Sequence, residues 1–409
     1  MPLPLDGLRV VDFSRVLAGP HCAKHLLDLG ADVIKVEPPM GDISRLAQPV
    51  FGAVSGYYAQ QNAGKRNLSI DLNVAESRAV VMKLCETADI IVENFRPGAL
   101  ASFGLDYDSV SARNPGVVYV SISGYGQKGS WRSRMAYAPS VQAESGFTTN
   151  THNQFGVGED ELQTDALSHA DVYSGLHAAI AVLAALNHRN VTGEGQYIDV
   201  AMASVILSIN ERVHYDLSDK ELGPEPPVLG ATQTPFFTSP EGDKFVVPMS
   251  LVGTGTFDFY CKVMRRPDLA EDPRFQTSTL RRRNFQELHD IVQKWIFTFE
   301  DMASLDAQFD EAKLATGTIR DIQEFADTEW AHSWQATRAV PDREGGEITI
   351  PAPPWHFSLD DKEPGAQVPA LQGEHNSQIL REIGYSDEAV DQLYALSALV
   401  GGRRDEQAG

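Results

Sequence analysis

The feature that most constrains this chain is a regular alternation, over roughly its first two hundred residues, of short strand-like runs with helix-length segments. Leu8–Phe13 (LRVVDF) reads as a buried strand, and Gly19-Pro20 then opens a helical run that Gly30 stops. Val33–Glu37 (VIKVE) is a second strand, Asn67–Leu72 (NLSIDL) alternates at period two, and Ala75–Thr87 is helical. Ile90–Phe95 (IIVENF) and Val117–Ser123 (VVYVSIS) are further strands, and the long helical run Ser168–Arg189 leads to the strand Gln196–Met202. Strands separated by that much chain pair in parallel through crossover helices, whereas hairpins need only a few connecting residues. The expected fold is α/β, with an open parallel sheet covered by helices. No G-x-G-x-x-G follows the first strand, so an NAD-dependent dehydrogenase lacks its fingerprint.

At 409 residues the chain exceeds the size at which one core stops growing, and two domains are expected. A Pro- and Gly-rich stretch, Leu222–Thr234, marks the boundary, giving a large domain over 1–224 and a small one over 225–330. A net charge of −22, from 34 Lys and Arg against 56 Asp and Glu, disfavours nucleic acid and anionic membrane as partners. A phosphorylated ligand stays admissible, since it needs only a few local cations and backbone N–H groups. Cys22, Cys85 and Cys261 lie far apart, which excludes a four-cysteine zinc site and a disulfide framework and fits a reduced compartment. The N-terminus lacks a basic, apolar signal pattern, and no stretch reads as long and apolar enough to span a bilayer. The expectation is a soluble, cytoplasmic protein. His21 and His25 stand at i, i+4, but no glutamate at zincin spacing and no third ligand accompany them, so no metal is expected.

Several phrases, collinear from about residue 5 to 385, resemble the class III CoA-transferases, the CaiB/BaiF-type family. They include Leu5-Asp6-Gly7-Leu8-Arg9-Val10-Val11-Asp12-Phe13 with Ala18-Gly19-Pro20, and Leu29-Gly30-Ala31-Asp32-Val33-Ile34-Lys35-Val36-Glu37. Gly64-Lys65-Arg66, Glu93-Asn94-Phe95-Arg96-Pro97-Gly98, Ser123-Gly124-Tyr125-Gly126 and Asp171-Val172-Tyr173-Ser174-Gly175 follow, then Pro354-Trp355-His356-Phe357-Ser358 and Gly373-Glu374-His375. The resemblance implies a Rossmann-like large domain completed by a return segment, 331–409, and a smaller inserted α+β domain. It also implies a homodimer of interlinked chains. Acyl-CoA and a small carboxylic acid would be the substrates, with no permanently bound cofactor.

By spacing alone Asp171, like Ser168, reads as an N-cap residue of the long helix. The family phrase gives Asp171 a second role, a covalent nucleophile, since it stands four residues before a glycine and opens a helix running on to Ala185-Leu186-Asn187-His188-Arg189. A carboxylate attacking a thioester yields a mixed anhydride and CoA thiolate, which splits one hard exchange into easier steps. The helix dipole and free N–H groups are expected to keep Asp171 ionised. Asp165 is a nearby carboxylate that misses the spacing. The glycine loop Val252-Gly253-Thr254-Gly255-Thr256 resembles in place the loop that shields the intermediate in formyl-CoA transferase, and reads equally as a plain strand-to-helix loop.

Positions mapped onto the family's CoA pocket are Leu17, Ala18, Ile70, Asp71, Asn94, Phe95, Arg96 and the segment from Arg134 to Ala138. Arg96 is expected to pair with phosphate in a bidentate manner. Arg15, Lys65 and Arg66 are further cations at strand ends. Ser102 stands where one relative carries an arginine, so the phosphate grip is expected to differ. Acyl-CoA racemases share the fold but need a His/Asp pair, and Tyr137-Ala138 occupies the place of their histidine phrase. A phenol with an ordinary pKa of about 10 is a poor base at neutral pH. A non-catalytic acyl-CoA-binding protein would have lost the nucleophile, and Asp171 is present. Which acids are exchanged is not legible in the sequence.

Overall fold

The computed structural model describes residues 3–155, 163–211, 213–218, 234–358 and 367–402. The chain divides into two compact units, Met1–Glu211 with Trp330–Gly409, and Arg212–Glu329. Residues 222–233, most of the expected boundary stretch, lie outside the described residues.

In the first unit six strands run parallel. They are β1 (Arg9–Asp12), β2 (Asp32–Glu37), β5 (Arg66–Ser69), β6 (Ile90–Glu93), β7 (Val118–Ser123) and β8 (Gln196–Ala201). A small antiparallel pair, β3 (Val50–Phe51) and β4 (Val54–Ser55), interrupts the sequence between β2 and β5. The sheet order is β5-β2-β1-β6-β7-β8. The chain therefore winds from β1 outward to β5, returns across the centre, and winds the other way to β8. The crevice where β1 and β6 lead their connections in opposite directions is the place where open α/β sheets bind ligands.

Alternate residues of each strand supply two cores. Val10, Val33, Ile90, Val118 and Val120 face α1 (Ala18–Asp28), α5 (Ala138–Glu144), α7 (His169–Thr192) and α8 (Met202–Ile209). Val11, Ile34, Leu68, Ile91 and Tyr119 face α3 (Ala75–Glu86) and the helices Asn376–Glu382 and Asp387–Ala395. The central strands are buried on both sides, which explains their near-continuous Val and Ile. The remaining helices before α7 are α2 (Gly56–Asn62), α4 (Tyr107–Ser111) and α6 (Phe147–Phe155).

Strand β5 would expose an unpaired edge, but the C-terminal segment covers it. Ser69 N donates to Asn376 Oδ1 at 2.8 Å, Asp71 N to Ala398 O at 2.8 Å, and Val400 N to Ser69 O at 3.2 Å. A hairpin of β12 (Thr337–Pro341) and β13 (Glu347–Pro351) belongs to the same unit and buries Val340, Ile348 and Ile350 against Tyr58 and Ala59 of α2. The second unit holds an antiparallel sheet of β9 (Phe236–Thr238), β10 (Lys244–Val246) and β11 (Gly317–Thr318), with a core of Phe237, Phe245, Phe257, Tyr260 and Phe309.

The sequence reading missed one property of α7. At 24 residues with a mean hydropathy of 1.3 over its most apolar window, this helix is long and apolar enough to cross a bilayer by length and composition. One face is consumed by the sheet core, through Ala170, Ala178, Val182 and Ala185. Small apolar residues that let helix and sheet approach closely raise the same hydropathy sum as a membrane span.

Four charges are buried at the carboxyl end of β1 and β2. Lys65 Nζ lies 2.9 Å from Asp12 Oδ2 and Lys35 Nζ lies 2.9 Å from Asp42 Oδ2, and no member is more than 2% exposed. Burial works against the Asp12 carboxylate, yet Lys65 and Lys35 outweigh it and hold the carboxyl below its ordinary value. Burial likewise opposes Asp42, and Lys35 brings it down to about 2. These depressed carboxyls add stability above the unfolded carboxylate range that is lost as pH falls through their folded values. Removing one partner leaves a buried charge uncompensated, so Lys65→Met is expected to cost about 3–5 kcal/mol in urea denaturation at neutral pH. A cost below about 1 kcal/mol would mean that the pair is solvated.

Candidate active site

The turn from β1 into α1 lies at the centre of the sheet, and the buried charges shape it. Asp12 Oδ1 accepts the Ser14 N–H at 2.9 Å and the Ser14 hydroxyl, while Lys35 Nζ donates to Ser14 O at 2.8 Å. Val16 takes the left-handed φ of +66°, unusual for a β-branched residue, and its N–H donates to both Asp42 oxygens at 3.2–3.3 Å. Across the crevice, Asn94 after β6 grips Arg15 by both backbone groups, accepting its N–H and donating to its carbonyl at 2.8 Å each. Gly19 is required here, since a Cβ would stand 2.1 Å from Ser14 Cβ.

Helix α7 brings its second turn against the start of α1. A Cβ on Gly175 would stand 2.7 Å from Ala18 O and 3.0 Å from His21 Cβ, so the glycine permits the close approach of α7 to α1. Asp171 is the third residue of α7, half-buried one turn before Gly175. The expected support from helix N–H groups is not found. Ala170 N donates to Gln142 Oε1 at 3.2 Å, and the N–H groups of Asp171 and Val172 go to Ser168 O at 3.1 and 3.0 Å. Gln142 Nε2 in turn holds Asp165 at 2.9 Å, and Ser168 makes no side-chain cap. With its donors committed elsewhere, burial pushes the Asp171 carboxyl up to about 6.

Tyr57 on α2 lies close enough for its phenol to feel Asp171. Burial first, and then the Asp171 charge, raises its pKa, so it keeps its proton at neutral pH. Sequence reasoning missed this residue, because the short α2 follows an irregular loop; the signal was the N-cap Ser55, whose hydroxyl accepts Tyr58 N–H. One turn further, Gln61 Oε1 meets His21 Nδ1 at 3.1 Å, and His21 meets His25 at 3.1 Å. Burial holds both imidazoles below their ordinary value, His25 down to about 4, so the pair is neutral at pH 7. Among the described residues no cluster of His, Cys, Asp or Glu is arranged to hold a metal.

A cleft of 370 Å³ opens at the carboxyl ends of β1, β2, β5 and β6. It gathers Ile70, Asp71 and Phe95 from the sequence-predicted set, with Phe13, Arg15 and the Pro38–Met40 segment. Asn94 supports its wall through Arg15, and Leu17 and Ala18 sit buried at the start of α1 beneath α7. Arg96 and Arg134 are placed elsewhere. Arg96 lines a separate cleft of 220 Å³ with Glu93, Tyr119 and Tyr197, and bonds to Met135 Sδ. Strand β6 ends at Glu93, and in the loop beyond it Phe95 lines the first cleft while Arg96 lines the second. Arg134 pairs with Glu144 at 2.5 Å and lies 4.3 Å from the Trp131 ring centroid. Tyr137, at the place of the racemase histidine, is 67% exposed, and its N–H bonds to Ser140 Oγ at 3.0 Å. The glycine loop Val252–Thr256 belongs to the second unit, where Arg281 Nε donates to Val252 O at 2.9 Å and Thr256 Oγ1 to Ser250 O at 2.7 Å.

Comparison with known proteins shows which family the chain resembles over nearly its whole length. The model of a family described as CoA-transferase family III matches residues 5–376. The chain is 31% identical to succinyl-CoA:mesaconate CoA-transferase of Haloarcula hispanica, over 93% of this chain and 96% of that protein. It is 32% identical to succinate–glutarate CoA-transferase of Agrobacterium fabrum, again over 93% and 96%. Among solved structures, a CaiB/BaiF family protein from Brucella suis superposes with a TM-score of 0.76 at 29% identity, covering 94% of this chain and all of that one.

The raised carboxyl of Asp171 has a cost in stability. Its folded pKa of about 6 exceeds the unfolded value, so folding holds an extra proton between the two, and stability falls as pH rises through that window. Asp171→Asn removes the penalty and is expected to raise stability at neutral pH by about 2–3 kcal/mol, with little change below pH about 4. Urea titration at both pH values checks this. A less stable Asn variant at neutral pH would show that the carboxylate is supported rather than strained.

Proposed function

The chain belongs to CoA-transferase family III, an acyl-CoA:carboxylate CoA-transferase family, and on that premise we propose that Asp171 is its covalent nucleophile. The observation that carries the proposal is a half-buried carboxylate without a hydrogen-bond donor among the described residues, on the first turn of α7, one turn before the glycine that packs on the start of α1. A carboxylate satisfied by N–H groups or a cation would be a cap or a strut. This one is left reactive.

The reaction runs as two mirrored exchanges. An Asp171 carboxylate oxygen attacks the acyl-CoA carbonyl carbon, the C–S bond breaks, and CoA leaves as thiolate with a mixed anhydride formed. The thiolate attacks the Asp171 carbonyl, giving an aspartyl-CoA thioester and releasing the first acid as carboxylate. The acceptor carboxylate then displaces CoA from Asp171 to form a second anhydride. Attack of the thiolate on the acceptor carbonyl yields the new acyl-CoA and restores Asp171. No proton need be gained or lost across the cycle, which suits a site with neutral histidines. The Tyr57 phenol offers an O–H to the oxyanion of either tetrahedral intermediate. Partial burial of Asp171 limits access of water to the anhydride.

The named activities of the relatives favour dicarboxylic acids as the exchanged pair, with succinyl-CoA as donor. A homodimer is favoured by the outer face of α7, where Tyr173, Ile180, Leu183 and Val191 are exposed, Val191 by 82%. An apolar stripe of that length on a helix whose other face is in the core fits a second copy of the chain.

Asp171→Ala and Asp171→Asn are each expected to lower kcat by about three orders of magnitude or more while CoA still binds. In the wild type, kcat/KM for succinyl-CoA is expected to rise with pH through about 6, as the carboxylate forms, and then level off. Near-normal turnover by either variant, in assays pairing succinyl-CoA with glutarate or mesaconate, would refute the assignment. Sedimentation is expected to show a dimer at micromolar concentration, and a folded monomer there would refute the oligomeric reading.

A further inference from the structure

The sequence led to Arg96 as a grip for the CoA phosphates and to Arg134 as a pocket residue, yet neither lines the 370 Å³ cleft. The cleft is mostly apolar, and Arg15 is the one cation among the residues lining it. Other basic side chains around the strand ends are neutralised: Arg45 by Glu37 at 2.9 Å, Arg66 by Asp32, Lys35 by Asp42 and Lys65 by Asp12. Arg15 has no carboxylate at ion-pair distance among the described residues, and its Nε is buried with no partner. In a chain of net charge −22, an arginine without an ion-pair partner among the described residues, lining a cleft, is suited to an anionic ligand.

The surroundings fix the backbone that carries that guanidinium. Arg15 and Phe13 line the same cleft, and Asn94 accepts from the Arg15 N–H and donates to its carbonyl. The two carboxylates in the wall are engaged. Glu37 accepts from Arg45 and from the Tyr58 hydroxyl, and Asp71 accepts from Asn73 N and Nδ2 at 2.9 and 2.8 Å. A second cation stands at the rim. Arg78 Nε donates to Leu72 O at 3.0 Å, and its guanidinium lies 5.5 Å from the Phe103 ring centroid. Leu72 and Phe103 both line the cleft, and Arg78 itself is exposed.

We propose that Arg15 binds the pyrophosphate of CoA inside the cleft and that Arg78 binds the ribose 3′-phosphate at its rim. The assignment rests on the CoA-transferase reading and adds to it the residues that grip the nucleotide. It matches the chemistry of the ligand, which carries two separated phosphate groups around an apolar-faced adenosine. A planar guanidinium can hold two phosphate oxygens at once, whereas a lysine offers a single point charge.

The test measures Kd by calorimetry for CoA, 3′-dephospho-CoA and pantetheine on wild type, Arg15→Gln, Arg15→Lys and Arg78→Gln, each checked for folding by thermal melting. Arg15→Gln is expected to weaken CoA and 3′-dephospho-CoA alike, by about 10- to 100-fold, and to leave pantetheine unchanged. Arg15→Lys recovers part of that loss. Arg78→Gln is expected to weaken CoA by about 10-fold and 3′-dephospho-CoA not at all. Wild-type affinity for CoA in both arginine-to-glutamine variants overturns the inference, as does an equal loss for pantetheine. So does an Arg15→Gln variant whose only defect is a raised KM for the acceptor acid, which would make Arg15 a carboxylate ligand. Failure of the wild type to bind CoA would instead overturn the functional reading itself.

Discussion

The buried charges at the carboxyl end of the sheet set the geometry on which everything else depends. Asp12 and Lys65 tie β1 to the segment before β5, and Lys65 also donates to Pro20 O in the first turn of α1 at 2.9 Å. Lys35 on β2 reaches across to Ser14, and Asp42 takes the N–H of Val16 in its left-handed conformation. Four full charges out of water are costly, and each is retained because two positive and two negative groups satisfy one another and the backbone. Their product is a rigid turn at the strand-order switch point. That turn starts α1, carries Arg15 and places Ala18 against α7.

The same turn explains why Asp171 is positioned at an energetic cost. Gly175 lets α7 press on Ala18 and His21, and that contact draws the helix start partly out of solvent. The first-turn N–H groups are spent on Gln142 and Ser168, so the carboxylate has neither water in full nor a protein donor among the described residues. A raised pKa and a more nucleophilic oxygen are two readings of the same burial. The site is thus made by withholding hydrogen bonds, while a few residues away the Asp12 carboxylate receives them in abundance.

Much of the fold was legible because parallel strands buried on both faces leave a direct mark in sequence. LRVVDF, VIKVE, IIVENF and VVYVSIS all correspond to strands of the sheet, and the helices between them dictate the crossovers. The family phrases placed Asp171 at the start of α7, where the structure has it. What failed was side-chain direction and local bonding. Arg96 lies in the loop after β6, where its side chain lines a different cleft from Phe95, a direction that phrase matching does not give. The expectation of an N–H-supported Asp171 assumed that a helix start offers free donors, and Gln142 comes from α5, far away in sequence. Tyr57 escaped because a seven-residue helix after a loop gives too short a pattern to read.

The central claim is that CoA transfer passes through a covalent bond to Asp171. The most direct measurement incubates the enzyme with succinyl-CoA and no acceptor acid, quenches with hydroxylamine, and maps the products by peptide mass spectrometry. The account predicts a hydroxamate on Asp171, formed from the aspartyl thioester, and on no other carboxylate. Unmodified Asp171 in an enzyme shown to turn over under the same conditions, or a hydroxamate on a different residue, would contradict it.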